Sequence, residues 1–364
     1  MRATRPDRAL ARTAILAVCA AGAIVGCGGD DDRPPVTVTT GNPAVTFAPL
    51  VHLHAEERSL PLDARTFIEN SALRWAGVDS TDEMLLNGPG RVGRDPERVP
   101  LLRPGRLGIA RPYAHTVDRA GGAVTYRASQ HTRPYDPGRL PALQDREGFY
   151  LDLLTEWRSG GPGAAVERVG SQATLSQVPA YFETGAERVD GRPGLRLTYW
   201  LLYGENDPPV SLPANPLSHE GDWERVSVLL RRGGRPDSYT PIAVRYHDGP
   251  RPQDVAWSDA PVASRRSGGP RTHPVAFATR GGHTPVPAPL DRRQPARADG
   301  LELAVHEQAT ACPACPEWRT WRKLLPARTQ PWWGYGGAWG SPYRSNANSG
   351  PLGPFSRRGT SAGS

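Results

Sequence analysis

The sequence predicts a mainly β fold: an antiparallel β-sandwich with short inserted helices and long Gly/Pro-rich loops. Three observations predict it. From residue 178 onward, runs of β-branched, aromatic and aliphatic residues recur between turn formers: "PAYFET", "LRLTYWLLYG", "WERVSVLL", "TPIAVRYHD" and "HPVAFATRGGH". Gly (40) and Pro (39) are both abundant, which favours turns and irregular connections over long helices. No coiled-coil pattern or internal repeat competes with this reading.

Taken in order, residues 1–27 read as a lipoprotein signal peptide and not as fold. Arg2, Arg5, Arg8 and Arg12 form a charged start, followed by "TAILAVCAAGAIVGC", an apolar run too short for a comfortable membrane span. It ends in Ile24-Val25-Gly26-Cys27, which resembles the lipobox of bacterial lipoproteins, where the cysteine becomes the lipid-modified first residue. Residues 28–46, rich in Gly, Asp, Pro and Thr, read as a flexible tether. A single sandwich-like domain is expected over 47–357, with a disordered tail at 358–364.

Within that domain, Val51 and Leu53 alternate with His52 and His54 as in a short strand. Pro61 and Asp63 then introduce a helix carrying Phe67, Ile68, Ala72, Leu73 and Trp75. Residues 84–145 read as long loops with short strands such as "AVTYRA", and 146–163 as a short amphipathic segment stopped by Gly and Pro. After the strand series, the Trp-, Gly- and Pro-rich carboxy-terminal stretch reads as an ordered extended segment, because its indoles are too apolar to leave in water.

Composition narrows function. Hydrophobic residues make up 38 %, which excludes a polytopic membrane protein. Of the 44 basic residues only Lys323 is lysine, an arginine bias of the kind GC-rich codon usage produces. The basic residues are scattered, and the leader carries +3 of the formal +7, so no nucleic-acid partner is expected. Besides Cys27, the expected mature chain has Cys312 and Cys315. In an exported protein "CPAC" reads most simply as a local disulfide. A zinc knuckle lacks soft ligands beyond His306, and no βαβ unit supports a redox motif.

The stretch that carries chemistry is "SHEGDWERVSVLL" at 218–230. In a strand, Asp222, Glu224, Val226, Val228 and Leu230 share one face, so two carboxylates begin a stripe that ends in core aliphatics. Carboxylates there must open to solvent, be paired or be coordinated. His219 can curl back through Gly221 to meet them, giving hard oxygens and one imidazole. That set suits Mg, Ca or Mn better than Zn. The spacing alone is equally consistent with turn residues and a local cap. The zinc motif H-E-x-x-H fails because Trp223 holds the place of its second histidine.

"HEGDWERVSV", preceded by "YWLLYGEN", resembles the hallmark of the vacuolar protein sorting-associated protein 62 family. Three further stretches are similar to that family in order: "FAPLVHLHAEERSLPLDA" with its Glu-x-x-x-Pro turn, "HPVAFATRGGHTPVP", and "GYGGAWGSPYRSNANSGPLGP". A more distant resemblance is to the necrosis- and ethylene-inducing peptide-like proteins, whose β-sandwich carries Gly-His-Arg-His-Asp-Trp-Glu. There the first His, the Asp and the Glu bind a divalent cation used to dock sphingolipid sugar headgroups. The resemblance implies the same role for His219, Asp222 and Glu224, with Asp207 the nearest candidate for a fourth acid. Ser218 and Gly221 depart from that heptad, which puts toxin activity in doubt but leaves the triad.

His283, after two glycines in "RGGHTP", is a candidate lining residue for the same cleft or a loop histidine. His247 and Asp248 read as a turn. Trp332, Trp333 and Trp339 read as core or as a sugar-stacking platform, with Trp339 the candidate ligand contact. Together these readings predict an extracytoplasmic lipoprotein, anchored to the bacterial cell membrane through lipidated Cys27. It would hold a divalent cation and bind a polar envelope ligand, a glycan or a lipid headgroup. A metal-dependent hydrolase and a structural envelope protein are the alternatives. Asp222 and Glu224 lie too close on one strand for the usual glycosidase pair.

Overall fold

The strand-forming runs do become strands, and the chain is mainly β. A computed structural model describes residues 38–39, 41–69, 71–76, 115–118, 125–128, 148–153, 175–212, 215–235, 238–247, 252–298, 301–330, 332–333, 338–340 and 350–354. The leader with Cys27, most of the 84–145 loops and the tail at 358–364 lie outside these residues.

The first strands are short: β1 (Val38–Thr39), β2 (Leu50–His52), β3 (Ser71–Ala76), β4 (His115–Asp118), β5 (Thr125–Ala128) and β6 (Gly148–Leu153). The long ones follow: β7 (Ala180–Val189), β8 (Arg192–Asn206), β9 (His219–Arg232) and β10 (Ser238–Tyr246). Next come β11 (Gln253–Ala256), β12 (Val262–Ser264), β13 (Arg271–Ala278) and β14 (Pro285–Val286). A hairpin of β15 (Leu290–Ala298) and β16 (Leu301–Ala309) precedes β17 (Glu317–Arg319), β18 (Leu324–Pro326) and β19 (Ala338–Trp339). Among the described residues, two short α-helices interrupt the series, α1 (Pro43–Thr46) and α2 (Ala64–Glu69).

A seven-stranded sheet runs β1-β10-β9-β8-β7-β18, with β11 on β10. A five-stranded sheet runs β12-β13-β2-β17, with β14 on β13. Within these two sheets pairing is antiparallel except for β7 with β18 and β2 with β13. The β7–β8 register is set by a two-residue turn, Asp190 (φ 50) and Gly191 (φ 72), the left-handed pair that matches strand twist.

Alternation along β8 and β9 decides what each face of the larger sheet meets. One face carries Leu197, Tyr199, Val228 and Leu230, which cluster with Leu50, Val275 and Phe277 of the five-stranded sheet. Further along, Leu201 and Tyr203 cluster with Val51, Leu53 and Trp318. The two sheets therefore share one apolar interior. The opposite face carries Trp200, Leu202 and Trp223, packed on Phe67 and Ile68 of α2 and on Trp332 and Trp339. Each such side chain contributes roughly 1.5–3 kcal/mol of hydrophobic stabilisation.

Three sequence expectations change. The folded part takes in residues ahead of 47. β1 pairs with β10, and α1, capped by the Asn42 side chain with Pro43 opening the helix, buries Ala44. The helix after Asp63 ends at Glu69, and Ala72, Leu73 and Trp75 lie on β3, paired with β6. Six residues of mixed apolar character fit either period, and pairing with β6 supplies the ladder that a longer helix would forgo. The indole of Trp339 is fully buried. It meets Trp223, Trp332 and Phe67 at 5.1, 5.7 and 5.6 Å between ring centroids, so it is core and presents no face for a sugar. Cys312 and Cys315 are joined by a disulfide, Cα–Cα 5.1 Å, which closes the turn leading into β17.

Candidate functional site

Asp222 and Glu224 face the sandwich interior, as the alternation requires. Across the ladder they pair with Tyr203 and Leu201, and the same stripe continues through Val226 and Val228 opposite Tyr199 and Leu197. Here the smaller sheet contributes two turns, one after β2 and one after β13. The first turn is organised by Glu57. Its carboxylate accepts the backbone N–H groups of Arg58 (2.8 Å), Ser59 (3.0 Å) and, from the second turn, Gly281 (2.8 Å). Gly281 sits at φ +65, with the Asp207 carbonyl where a Cβ would be, so only glycine lets these backbones approach.

That second turn drives His283 into the interior. Its backbone takes φ 50, uncommon for a side-chain-bearing residue, and its ring is fully buried. Nδ1 donates to Asp222 Oδ2 at 2.8 Å. Nε2 lies 3.4 Å from Glu57 Oε1, an ion pair without hydrogen-bond geometry. The ring stacks on Tyr203, centroids 3.9 Å apart and planes within 8°. Burial works against the imidazolium, but Glu57 and Asp222 outweigh it and push the His283 pKa up to about 10. Burial also works against the Glu57 charge, yet His283 and the backbone N–H groups pull its pKa down to about 2. Two sheets are thus bridged by carboxylate, imidazolium and carboxylate.

Two more groups complete the cluster. The Tyr203 hydroxyl is buried without a hydrogen-bond partner. Burial, then the charges of Asp222, Glu224 and Glu57, hold its pKa well above the usual phenol range. His219 begins β9, and Gly221 at φ +62 bends the strand so that the imidazole folds back over its own backbone. Its Nδ1 faces the carbonyls of Gly221 (3.0 Å) and Glu220 (3.3 Å). Carbonyls only accept, so Nδ1 carries the hydrogen and Nε2 keeps a lone pair. Burial lowers the His219 pKa against the opposing pull of Asp222, which favours the neutral ligand form.

The structure therefore gathers His219, Asp222, Glu224 and His283 at one end of the sandwich. Among the described residues, no three His, Cys, Asp or Glu side chains already stand in metal-holding geometry. Asp207 is not part of the cluster. It is exposed, and its carboxylate accepts Asn215 Nδ2 at 2.7 Å. It lines instead a cleft of about 450 Å³ together with Glu57, Arg58, Glu205, Asn215 and Arg280. His247 accepts from or donates to Ser227 Oγ at 3.1 Å, away from this cluster.

Sequence reasoning missed Glu57 and Tyr203. Glu57 opens the Glu-x-x-x-Pro turn and Tyr203 is the second tyrosine of "YWLLYGEN", so both lie inside stretches already singled out. Only the pairing of distant segments shows that Tyr203 lies opposite Asp222 and that Glu57 reaches it through His283. Compared with family models, curated proteins and solved structures, the chain matches none.

Proposed function

We propose that this end of the sandwich holds a divalent cation and docks a polar ligand beside it, on an extracytoplasmic lipoprotein anchored through Cys27. The observation that carries the reading is the grouping of donors: Asp222 keeps one carboxylate oxygen outside its bond to His283, Glu224 follows on the same face of β9, and His219 turns Nδ1 to its own backbone carbonyls and keeps Nε2 for a ligand. The donors would be His219 Nε2, the Asp222 oxygen not taken by His283, and the Glu224 carboxylate. Oxygen donors with one imidazole favour Mg, Ca or Mn over Zn. A bound cation of this kind supplies a positive centre that joins protein carboxylates to ligand hydroxyls or phosphates.

The neighbouring cleft gives the ligand a place. Glu57 and Gly281 belong both to the cluster and to the cleft wall, and the Arg58 and Arg280 guanidinium groups add donors for hydroxyl or phosphate oxygens. A glycan or a lipid headgroup fits this chemistry. Hydrolysis is the weaker reading because it needs a base beside the scissile bond. His283 is fully buried with each ring nitrogen against a carboxylate, so it has no nitrogen to offer a substrate. A purely structural reading draws on the same bridge, since His283 already ties the two sheets together.

Cation-dependent retention on envelope glycans or lipid vesicles tests the proposal. Retention should vanish with chelator and in Glu224→Gln and His219→Ala, with no product released. Product release lost in both variants would support the hydrolase, and chelator-insensitive behaviour throughout would support the structural role.

A further inference from the structure

We infer that His283 and Glu57 form a positioning pair: His283 holds one Asp222 oxygen so that the other is presented to the cation, and Glu57 holds His283. This rests on the cation site proposed above and assigns two residues that would act on the cation through Asp222 and not by direct contact with it. The division of labour is written in the contacts. Oδ2 of Asp222 is taken by His283 Nδ1 at 2.8 Å, which restrains the carboxylate and leaves Oδ1 as the oxygen that would meet the cation. Nothing else about His283 is left loose: its ring is clamped by Tyr203 on a face and by Glu57 at Nε2. Glu57 is itself immobilised by three backbone N–H groups from two turns, so its oxygens are spent on orientation.

The uncommon backbone of His283 supports the same view. A residue with a side chain at φ 50 persists where the surroundings over-determine it, and here the outcome is a donor delivered to one carboxylate oxygen. Asparagine tolerates this backbone region, and its amide nitrogen falls near the place of Nδ1. His283→Asn therefore keeps the donor to Asp222 while giving up the Glu57 arm. His283→Ala gives up both.

The experiment titrates Mn²⁺ alone into wild type, His283→Ala, His283→Asn and Glu57→Gln, reading affinity by the paramagnetic resonance of free and bound Mn²⁺. Thermal melts run alongside. Loss of an outer partner of a metal ligand typically weakens affinity about 10- to 100-fold. We expect that loss in His283→Ala, a smaller loss in Glu57→Gln, and recovery of most of the affinity in His283→Asn. A merely structural role lowers melting temperatures but leaves Mn²⁺ affinity of the folded protein alone. Wild-type binding with unchanged affinity in both His283→Ala and Glu57→Gln overturns the inference and leaves the site standing. Equal loss in His283→Ala and His283→Asn overturns the positioning argument even if one variant folds poorly, because the melts identify it. Absence of Mn²⁺ binding in wild type overturns the site reading and this inference with it.

Discussion

Gly221→Ala is expected to destabilise the protein by at least about 3 kcal/mol. The left-handed backbone at φ +62 costs a side-chain-bearing residue roughly 1–2 kcal/mol. The larger part comes from contact. A Cβ at Gly221 would stand 2.0 Å from the carbonyl oxygen of Trp339, and one at Gly340 would stand 2.2 Å from that of Glu220. β9 and the Trp339–Gly340 segment therefore touch backbone to backbone, and the added methyl must push away the strand that places Trp339 in the aromatic core. Gly191→Ala is the internal control. It shares the left-handed backbone at φ +72 but has nothing within 4 Å of the new Cβ, so about 1–2 kcal/mol is expected. Urea denaturation of both variants checks this. Equal midpoints would show that the close approach at Gly221 carries no weight. Because Gly221 lies between His219 and Asp222, a displaced Trp339 segment should also disturb the site.

Asp222→Asn is expected to cost the cation-free protein about 3 kcal/mol, the lower end of what breaking a buried charge pair costs. The amide oxygen still accepts from His283 Nδ1, but the imidazolium is then left fully buried with only Glu57, 3.4 Å away. The mechanism has a signature. Adding His283→Asn removes a partner whose main contact is already weakened, so the double variant should lose less than the sum of the two single losses, with a coupling energy of about 1 kcal/mol or more. Denaturation in chelator measures the cycle. Strict additivity would mean that Asp222 and His283 do not act as a pair.

Much of this molecule was legible where local pattern and tertiary role agree. The alternation in "WERVSVLL" put Asp222 and Glu224 on the face of Val226 and Val228, and the ladder opposite Tyr203 and Leu201 has that register. The stretch at Ala72–Trp75 has apolar residues that fit both the helical and the strand period, and only its pairing with β6 settles the matter. The inner partners of the site were beyond local reading for another reason. Glu57 meets Gly281 across 224 residues of chain and His283 meets Asp222 across 61, and no spacing rule joins turns so far apart. Trp339 illustrates the reverse problem. An indole in a Gly-rich stretch has the same sequence signature whether it stacks on a sugar or fills a core, and the close approach at Gly221 puts it in the core.

The central claim is that His219, Asp222 and Glu224 take up a divalent cation at the buried end of the sandwich. Calorimetric titration of the chelator-treated protein with Mn²⁺, Ca²⁺ and Mg²⁺ tests it most directly. One cation bound per chain is predicted, with the heat abolished in Asp222→Asn although that protein remains folded by circular dichroism. A wild-type protein that takes up none of the three at millimolar concentration, or an Asp222→Asn variant that binds as wild type does, would contradict it.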